Sequence, residues 1–241
     1  MTVKPVTSRS LRDASEVARG IFDTATAVGA DGTPQRVHSE IRESFADALY
    51  RAVLAERPRA VVEVGMAFGI ASLAILTALR ELGEGGTLIS IDPGQSTQWK
   101  GMGVESVRRA GLSGQHRLME TFDYIALPQL LAGGAELDFA YIDGWHTFDY
   151  TLLDFWYVDR MLRAGGVVGF NDCGMRAVHR VLRFVRTHRR YDPVDVGLPA
   201  TFTGRNPLAT AARRVTGRND ADQYFRKREQ WEPDWNFYAP F

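Results

Sequence analysis

Three oxygen-bearing side chains follow two apolar runs in the second half of the chain. Asp143 comes directly after the run Leu137–Ile142, and Asn171 and Asp172 come directly after the run Gly166–Phe170. Neighbouring strands lie ~4.8 Å apart, so side chains that end two adjacent strands can converge on one ion. Carboxylate and amide oxygens suit Mg²⁺, Mn²⁺ or Ca²⁺ better than zinc. We therefore predict a divalent-cation site, best suited to Mg²⁺, held by Asp143, Asn171 and Asp172.

His146 lies three residues past Asp143, in the loop that leaves the same strand. An imidazole with an ordinary pKa of about 6.5 suits a general base, and a bound cation lowers the pKa of a hydroxyl oxygen that it holds. Asp143 and His146 are therefore the predicted catalytic residues. Simpler interpretations stay open: Asp143 caps its loop, Asn171 and Asp172 form a turn, and His146 is structural.

The segment VVEVGMAFGIASLAIL reads as a strand, a glycine turn and a helix. Gly65 and Gly69 frame the turn and allow a ligand to approach the backbone, and Ser72 lies in the first turn of the helix. Ala67 stands where a dinucleotide site places a glycine against pyrophosphate. Glu63 ends the strand, where a carboxylate suits a cationic ligand and repels phosphate. The turn therefore favours a cofactor without phosphates.

A second acidic residue ends the next apolar run, LISIDP. Asp92 lies at the carboxyl end of that strand, where a carboxylate can accept hydrogen bonds from both ribose hydroxyls of a bound nucleoside. Each signal alone has a structural alternative, because glycine turns occur in many α/β folds and strand-end acids are often solvated caps. Their order and spacing together predict a nucleoside-type cofactor.

Short apolar runs alternate with helical patterns through the middle of the chain. The runs are Ala60–Val64, Thr87–Ile91, His116–Met119, Leu137–Ile142 and Gly166–Phe170. The helical patterns fall near 70–82, 101–111, 123–132, 147–163 and 175–189. This alternation predicts a parallel α/β sheet with helices on both faces and right-handed crossovers. Two helices are predicted before it, over 8–27 and 37–56.

The stretch LDFAYIDGWHTFDYTLLDFWYVDRMLRAGGVVGFNDC resembles class I S-adenosylmethionine-dependent methyltransferases of the catechol O-methyltransferase-like type. It is most similar to the branch with an I-D-G-x-H motif, which includes metal-dependent antibiotic-tailoring O-methyltransferases. The I-D-G-x-H motif and the following N-D pair are the specific part. The resemblance covers about residues 60–175 and includes the turn E-x-G-x-x-x-G-x-x-S and the L-x-x-G-G that precedes the fifth strand.

This resemblance implies a Rossmann-like class I methyltransferase fold with a mostly parallel seven-stranded sheet, in one domain over residues 1–241. Residues 1–56 would form an N-terminal helical cap, 57–190 the cofactor-binding core, and 191–241 the final strands and an aromatic tail. The implied reaction is a Mg²⁺-assisted transfer of a methyl group from S-adenosylmethionine to a hydroxyl of a small metabolite, as in natural-product biosynthesis. The residues expected to bind S-adenosylmethionine are Glu63, Gly65, Gly69, Ser72, Asp92 and Asp143.

Composition narrows the class of partners. The formal net charge is zero, so no global field attracts the chain to nucleic acid or to an anionic membrane. The single cysteine, Cys173, excludes an intramolecular disulfide and a multi-cysteine zinc site. No apolar run reaches the ~18 residues of a membrane span, and the N-terminal residues lack a secretory apolar segment. We expect a cytoplasmic protein with a small-molecule acceptor, and the tail over 224–241 is expected to dock on the core or join a homo-oligomer.

Two other functions are compatible with an α/β sheet and a glycine turn. A nicotinamide-dependent oxidoreductase is disfavoured by Ala67 and by the absence of a Tyr-x-x-x-Lys pair. A non-catalytic protein that keeps the cofactor pocket is disfavoured because Asp143, His146, Asn171 and Asp172 are present together.

Overall fold

A computed structural model describes residues 9–38 and 41–241. These residues fall into two compact units, one that ends at Asp123 and one over Tyr124–Phe241. The first residue of the predicted helix over 8–27, and residues 39–40 of the predicted helix over 37–56, lie outside the described residues.

The N-terminal segment of the first unit differs from the helices that the sequence predicts. Helix α1, Leu11–Ala14, ends at Ser15, and helix α2, Glu16–Thr24, begins there because the Ser15 side chain accepts a hydrogen bond from the Ala18 amide. The continuous helix over 8–27 is therefore wrong, since a serine that caps a new helix start interrupts the old one.

A short antiparallel hairpin follows these two helices. It pairs β1, Thr26–Val28, with β2, Pro34–Arg36. Helix α3 runs over Glu43–Glu56 rather than from 37, and it contributes the buried residues Phe45, Leu49 and Val53. The segment before the sheet is thus only partly helical. It includes a hairpin that the sequence analysis did not predict, because its strands show no alternation of apolar residues.

The rest of the first unit alternates strands and helices as predicted. Its elements are β3 (Ala60–Val64), α4 (Ile70–Leu82), β4 (Thr87–Ile91), α5 (Met102–Arg109) and β5 (His116–Met119). The strands are parallel, in the order β5-β4-β3, and Glu63 is opposite Ser90. Consecutive residues of β3, from Val61 to Val64, are all buried, which means that both faces of this strand are covered.

The second unit continues the alternation and then departs from it. Its elements are α6 (Asp123–Ala132), β6 (Leu137–Ile142), α7 (Phe148–Met161), β7 (Leu162–Phe170), α8 (Arg176–His188), β8 (Tyr191–Val194), α9 (Pro207–Thr216) and β9 (Gln223–Lys227). Strand β7 begins earlier than the predicted Gly166, and α9 is a helix that the sequence analysis did not predict. The final strands expected within 191–241 are present.

The seven strands that follow α3 form one sheet with the order β5-β4-β3-β6-β7-β9-β8. Pairs within each unit are parallel except for β7–β9 and β8–β9, which are antiparallel. The predicted mostly parallel seven-stranded α/β sheet is therefore confirmed. None of the helices in the described ranges combines the length and apolar character needed to cross a membrane.

The aromatic tail docks on α8 within the second unit. Phe241 packs edge-on against Phe184 and His188, with ring centroids 5.4 Å and 5.0 Å apart. Phe237 packs against His188 at 5.5 Å, whereas Trp235 is 97% exposed. The expected docking of the tail on its own chain is thus observed for Phe237 and Phe241.

Candidate active site

The glycine turn of the first unit has an unusual backbone. Gly65, Ala67 and Gly69 all have positive φ, at 87°, 46° and 82°. A Cβ placed on Gly69 would come within 2.9 Å of the Gly103 backbone, so only glycine fits there without displacement of α5. Ala67 adopts the left-handed conformation despite its Cβ, which costs about 1–2 kcal/mol. The surrounding contacts must therefore hold this turn in place.

Asp92 supplies those contacts. Its Oδ2 accepts hydrogen bonds from the backbone amides of Met66 (3.1 Å) and Ala67 (2.8 Å), and its Oδ1 accepts one from the Gly94 amide at 2.8 Å. The residue is 4% exposed. The structure thus places Asp92 against the glycine turn, where most of its hydrogen-bonding capacity is used by the protein itself.

Gln95 is a polar residue at this turn that sequence reasoning missed. Its Nε2 donates to the Ala67 carbonyl at 2.8 Å and to Asp92 Oδ2 at 3.1 Å. The only signal in the sequence is its place three residues after Asp92, and nothing about a glutamine at that spacing predicts the contact. Gln95 and Asp92 together fix the conformation of Ala67.

Glu63 and Ser72, two of the predicted cofactor-binding residues, contact each other. Glu63 Oε2 accepts hydrogen bonds from the hydroxyls of Ser72 (2.6 Å) and Ser90 (2.5 Å). Glu63 has no exposed surface. The Glu63 carboxylate thus links β3 to β4 and to α4 through hydrogen bonds. This structural function is separate from the predicted attraction of a cationic ligand.

Three aromatic rings lie together near the same turn. Phe68 packs edge-on against Trp99 and His38, with both pairs of ring centroids 5.1 Å apart. Trp99 follows Asp92 by seven residues, and the fold brings it against the turn residue Phe68. These rings form an apolar surface of the kind on which a planar base packs.

In the second unit, the residues predicted for catalysis converge at the ends of β6 and β7. His146 Nε2 lies 3.3 Å from Asp143 Oδ1 and 3.7 Å from Asp172 Oδ2. The side chains of Asp143 and His146 are partly buried, and that of Asp172 is more exposed. Asp172 has a φ of 51°, which turns the chain sharply after β7. The loop after β6 and the turn after β7 thus bring two carboxylates to one imidazole nitrogen.

Burial and mutual repulsion alter the titration of this cluster. Removal from water raises the pKa of the Asp143 carboxyl to about 6; His146 opposes the rise and Asp172 adds to it. Burial acts to lower the pKa of His146, but the nearby Asp143 and Asp172 outweigh it, so this pKa lies above the usual 6.5. The two carboxylates therefore stabilise a proton on the imidazole, and burial opposes them.

The side chain of Asn171 donates hydrogen bonds to two residues that the sequence analysis did not single out. Its Nδ2 donates to Asp222 Oδ1 at 3.1 Å and to the Tyr141 hydroxyl at 3.3 Å, and Tyr141 also donates to Asp222 Oδ2 at 2.7 Å. Burial raises the pKa of Asp222 well above its usual value, and the charges of Asp143 and Asp172 add to the rise. A third acidic residue thus extends the cluster.

The donor set at this edge has the chemistry of a hard-cation site. Asp143 Oδ1 and Asp172 Oδ2 lie 3.3 Å and 3.7 Å from His146 Nε2, and the Asn171 amide donates through its nitrogen to Asp222. Within residues 9–38 and 41–241, no cluster of three or more His, Cys, Asp or Glu has the arrangement of a metal cage. Two carboxylates and one amide oxygen fit Mg²⁺, which usually keeps several waters.

Comparison with known proteins supports the interpretation of this fold. Residues 62–173 match the family model of a methyltransferase domain. This range includes the glycine turn, Asp92, the I-D-G-x-H motif and the Asn171–Asp172 pair. A search of curated proteins finds no significant match.

Solved structures share the fold over nearly the whole chain. The O-methyltransferase TomG from Streptomyces achromogenes, in complex with SAM, is 16% identical, with a TM-score of 0.62 over 93% of this chain and 92% of that one. An O-methyltransferase from Bacillus cereus, in complex with SAH, is 13% identical, with a TM-score of 0.64 over 92% and 93% of the two chains. Cofactor-bound Rv0187 from MTB is 16% identical, with a TM-score of 0.63 over 89% of each chain.

Proposed function

We propose that this chain, whose residues 62–173 match a methyltransferase domain model and whose fold is shared with solved O-methyltransferases, transfers a methyl group from S-adenosylmethionine to a hydroxyl oxygen of a small metabolite. The observation that carries the proposal is the position of His146 Nε2 between the carboxylates of Asp143 and Asp172. Two of the similar structures are O-methyltransferases, which supports an oxygen acceptor.

The proposed reaction joins the acceptor oxygen to the methyl carbon as the sulfonium–carbon bond breaks, and S-adenosylhomocysteine leaves. The acceptor must lose its proton, because an aliphatic hydroxyl is a poor nucleophile. In its neutral form His146 accepts this proton at Nε2, and the nearby carboxylates of Asp143 and Asp172 stabilise the imidazolium that results. Such a base contributes roughly 10²–10⁴ in rate.

We further propose that Asp143, Asn171 and Asp172 hold a divalent cation, with Mg²⁺ as the best chemical fit. When bound, such an ion lowers the pKa of a coordinated hydroxyl. The arrangement that supports this proposal is the Asp222–Asn171 hydrogen bond, which orients the amide so that its oxygen stays available.

In the first unit we propose that the turn Gly65–Gly69 binds the cofactor, beside Glu63, Ser72 and Asp92. Position 67 is alanine rather than the glycine that a dinucleotide site places against pyrophosphate. Glu63 adds a carboxylate, which favours a cationic sulfonium nucleoside over a dinucleotide. Phe68 and Trp99 would pack against the adenine. Asp143, which follows β6 in the second unit, stays a predicted cofactor-binding residue.

Calorimetry with S-adenosylhomocysteine and with NAD tests the proposed cofactor. We expect an isotherm with S-adenosylhomocysteine and none with NAD, and an NAD isotherm would instead favour an oxidoreductase. Turnover is then measured with a panel of small hydroxylated acceptors by release of S-adenosylhomocysteine. No release with any acceptor, from a chain that binds the cofactor, would favour the non-catalytic alternative.

The metal and the base are tested separately once an acceptor is found. We expect EDTA to abolish turnover and Mg²⁺ to restore it, and Asp143→Ala and Asp172→Ala to have the effect of EDTA. His146→Ala should bind cofactor and Mn²⁺ normally, with Mn²⁺ followed by electron paramagnetic resonance, and lose turnover. Asp149→Ala is the matched control, because Asp149 is exposed and its described side-chain contact is with Thr147. Activity that survives EDTA and all three alanine changes would contradict the mechanism.

A further inference from the structure

Helix α9, Pro207–Thr216, is capped at both ends, yet none of its residues is buried. The Asn206 side chain accepts a hydrogen bond from the Ala209 amide at 2.8 Å, and the chain leaves the helix through Gly217 with a φ of 67°. Isolated helices shorter than ~12–15 residues are marginal in water, because most helical stability in proteins comes from packing of an apolar face. A helix that is fully capped and unburied therefore indicates a partner for that face.

The outward face of α9 carries a stripe of apolar side chains. Leu208 is 82% exposed and Val215 is 88% exposed, and the seven residues between their positions place them on one face of the helix. Ala211 and Ala212 lie between them on this face and are also exposed. These four residues are the α9 stripe. Two small side chains between two larger ones leave a groove into which the side chains of a second helix can pack.

The opposite face attaches α9 to the rest of the second unit. Arg213 pairs with Asp220, and it donates a hydrogen bond to the Gly174 carbonyl at 3.3 Å. Gly174 comes two residues after Asp172. Helix α9 is therefore fixed beside the turn that follows β7, next to the candidate active site, while its stripe is in solvent.

The stretch that contains α8 and α9 has a large excess of arginine. Residues 173–219 include ten arginines and only two carboxylates, Asp192 and Asp195. Asp192 pairs with Arg228, which lies outside this stretch. Six of the ten arginines have no carboxylate partner in the described part of the chain: Arg176, Arg180, Arg183, Arg205, Arg214 and Arg218. We call these six the unpaired arginines.

The positive charges of α8 and of the end of α9 lie close enough to repel one another. Burial lowers the pKa of the His179 imidazole, and the charges of Arg186, Arg183 and Arg218 lower it further. Burial also lowers the pKa of Arg218, and neighbouring arginines that include Arg176 add to the effect. His179 therefore stays neutral between the arginines. An anionic partner would relieve this repulsion.

The combination of an apolar stripe and unpaired arginines narrows the class of partner. A basic amphipathic helix is typical of membrane-surface segments and of the targets of acidic helix-binding proteins. A helix that lies on an anionic membrane buries Trp, Phe or Leu side chains, and the α9 stripe offers one leucine. A nucleic acid would meet a stripe that has no aromatic ring on which bases can stack. A second copy of α9 would bring arginines against arginines.

We propose that α9 and the unpaired arginines of α8 form a docking surface for an acidic amphipathic helix of a partner protein. The apolar side chains of that helix pack on the α9 stripe, and its carboxylates pair with the unpaired arginines. This inference goes beyond the proposed function and does not rest on it, because docking requires neither cofactor nor acceptor.

Fluorescence anisotropy with a labelled peptide tests the inference on the full chain. The probe is a stapled helix with leucine at the a and d positions of each heptad and glutamate elsewhere. We expect saturable binding that weakens about tenfold from low to high salt, because exposed ion pairs are screened. Two comparison peptides, one with lysine in place of glutamate and one with serine in place of leucine, should bind at least about tenfold more weakly.

Surface variants then locate the binding site. We expect Leu208→Ser and Val215→Ser to weaken binding of the acidic peptide about fivefold each, with an unchanged melting temperature because both side chains are already in solvent. Arg214→Glu should weaken it about tenfold, and Arg183→Glu on α8 is the second charge reversal if Arg214→Glu does not fold. The matched controls are Trp235→Ala and Arg109→Glu, which change an exposed apolar and an exposed basic side chain elsewhere and should leave the affinity unchanged.

Four results would overturn the inference. One is the absence of peptide binding by the full chain, and another is equal binding of the peptide that has serine in place of leucine. A third is a peptide affinity that falls with the arginine changes but not with Leu208→Ser or Val215→Ser, since the surface would then attract any polyanion. The fourth is tighter binding of phosphatidylserine vesicles or double-stranded DNA than of the peptide through the same residues, which would assign the surface to a membrane or to a nucleic acid.

Discussion

The ring of Tyr224 covers the α-carbon of Gly169: a Cβ built on Gly169 would lie 2.5 Å from Tyr224 Cε1 and 3.0 Å from Tyr141 Cδ2. The two residues are opposite each other in the antiparallel pair β7–β9, and Tyr141 is opposite Gly169 on β6. The missing side chain at position 169 allows Tyr141 and Tyr224 to approach with centroids 6.4 Å apart. Tyr141 in turn donates to Asp222, so this packing supports the acidic cluster.

We expect Gly169→Ala to lower the free energy of unfolding by about 1–3 kcal/mol, the range for an overpacked core. The methyl group must displace two fully buried tyrosine rings. Urea denaturation measures the change. Gly20→Ala is the control, because nothing lies within 4 Å of a Cβ there and the residue is inside α2. That change should stabilise the protein by up to about 1 kcal/mol, and equal destabilisation by both changes would contradict the explanation.

Gly69→Ala is expected to damage both stability and cofactor binding. The φ of 82° is strained for alanine, and its Cβ would meet the Gly103 backbone at 2.9 Å. We expect a loss of at least about 1 kcal/mol in unfolding free energy, together with weaker binding of S-adenosylhomocysteine in calorimetry. Unchanged affinity in a destabilised variant would show that the turn does not approach the cofactor.

His116 should make stability depend on pH. Burial lowers the pKa of its imidazole from 6.5 to about 4, and its Nε2 lies 3.0 Å from the Ser90 hydroxyl. The unfolded chain takes up this proton at a higher pH than the folded one. The contribution to stability is therefore complete above pH 6.5 and is lost as the pH falls from 6.5 to about 4.

We expect the protonation of His116 to lower the free energy of unfolding by up to about 2 kcal/mol. Partial exposure of the ring keeps this value below the full effect of the pKa shift. Chemical denaturation of the unaltered chain and of His116→Gln across this range measures it. As the pH falls from 6.5 to about 4, the unfolding free energy of the unaltered chain should decrease relative to that of His116→Gln. Parallel curves would show that the histidine does not titrate differently in the two states.

Truncation of the chain after Glu229 should preserve β9 and remove the docked tail. Phe241 and Phe237 cover Phe184 and His188 on α8, so their loss exposes apolar surface. We expect a lower melting temperature and greater self-association, measured by sedimentation. Trp235→Ala is the control, because the side chain of Trp235 is already in solvent. A truncated chain with the melting temperature of the full one would show that the docking contributes nothing.

Local pattern was enough to predict the strands β3 to β6, because a buried parallel strand leaves a short apolar run and the intervening helices leave a 3.6-residue period. The glycine turn was also local, since Gly65 and Gly69 require positive φ within one short segment. Asp143 and His146 are three residues apart, so their proximity follows from one loop. The break at Ser15 and the hairpin that follows escaped prediction because capping and a short exposed hairpin leave little apolar signal.

The sequence by itself determined the order of strands and helices, the glycine turn and the Asp143–His146 loop, all of which depend on residues close together in the chain. Only the tertiary structure decided which groups complete the two sites. Asp222 meets Asn171 across 51 residues and Tyr141 across 81, and Gln95 meets Ala67 across 28. Such contacts depend on strand register and loop path, which no local periodicity encodes. For the same reason, the sequence did not predict that the backbone amides of the glycine turn donate hydrogen bonds to Asp92, because this contact joins the ends of two strands.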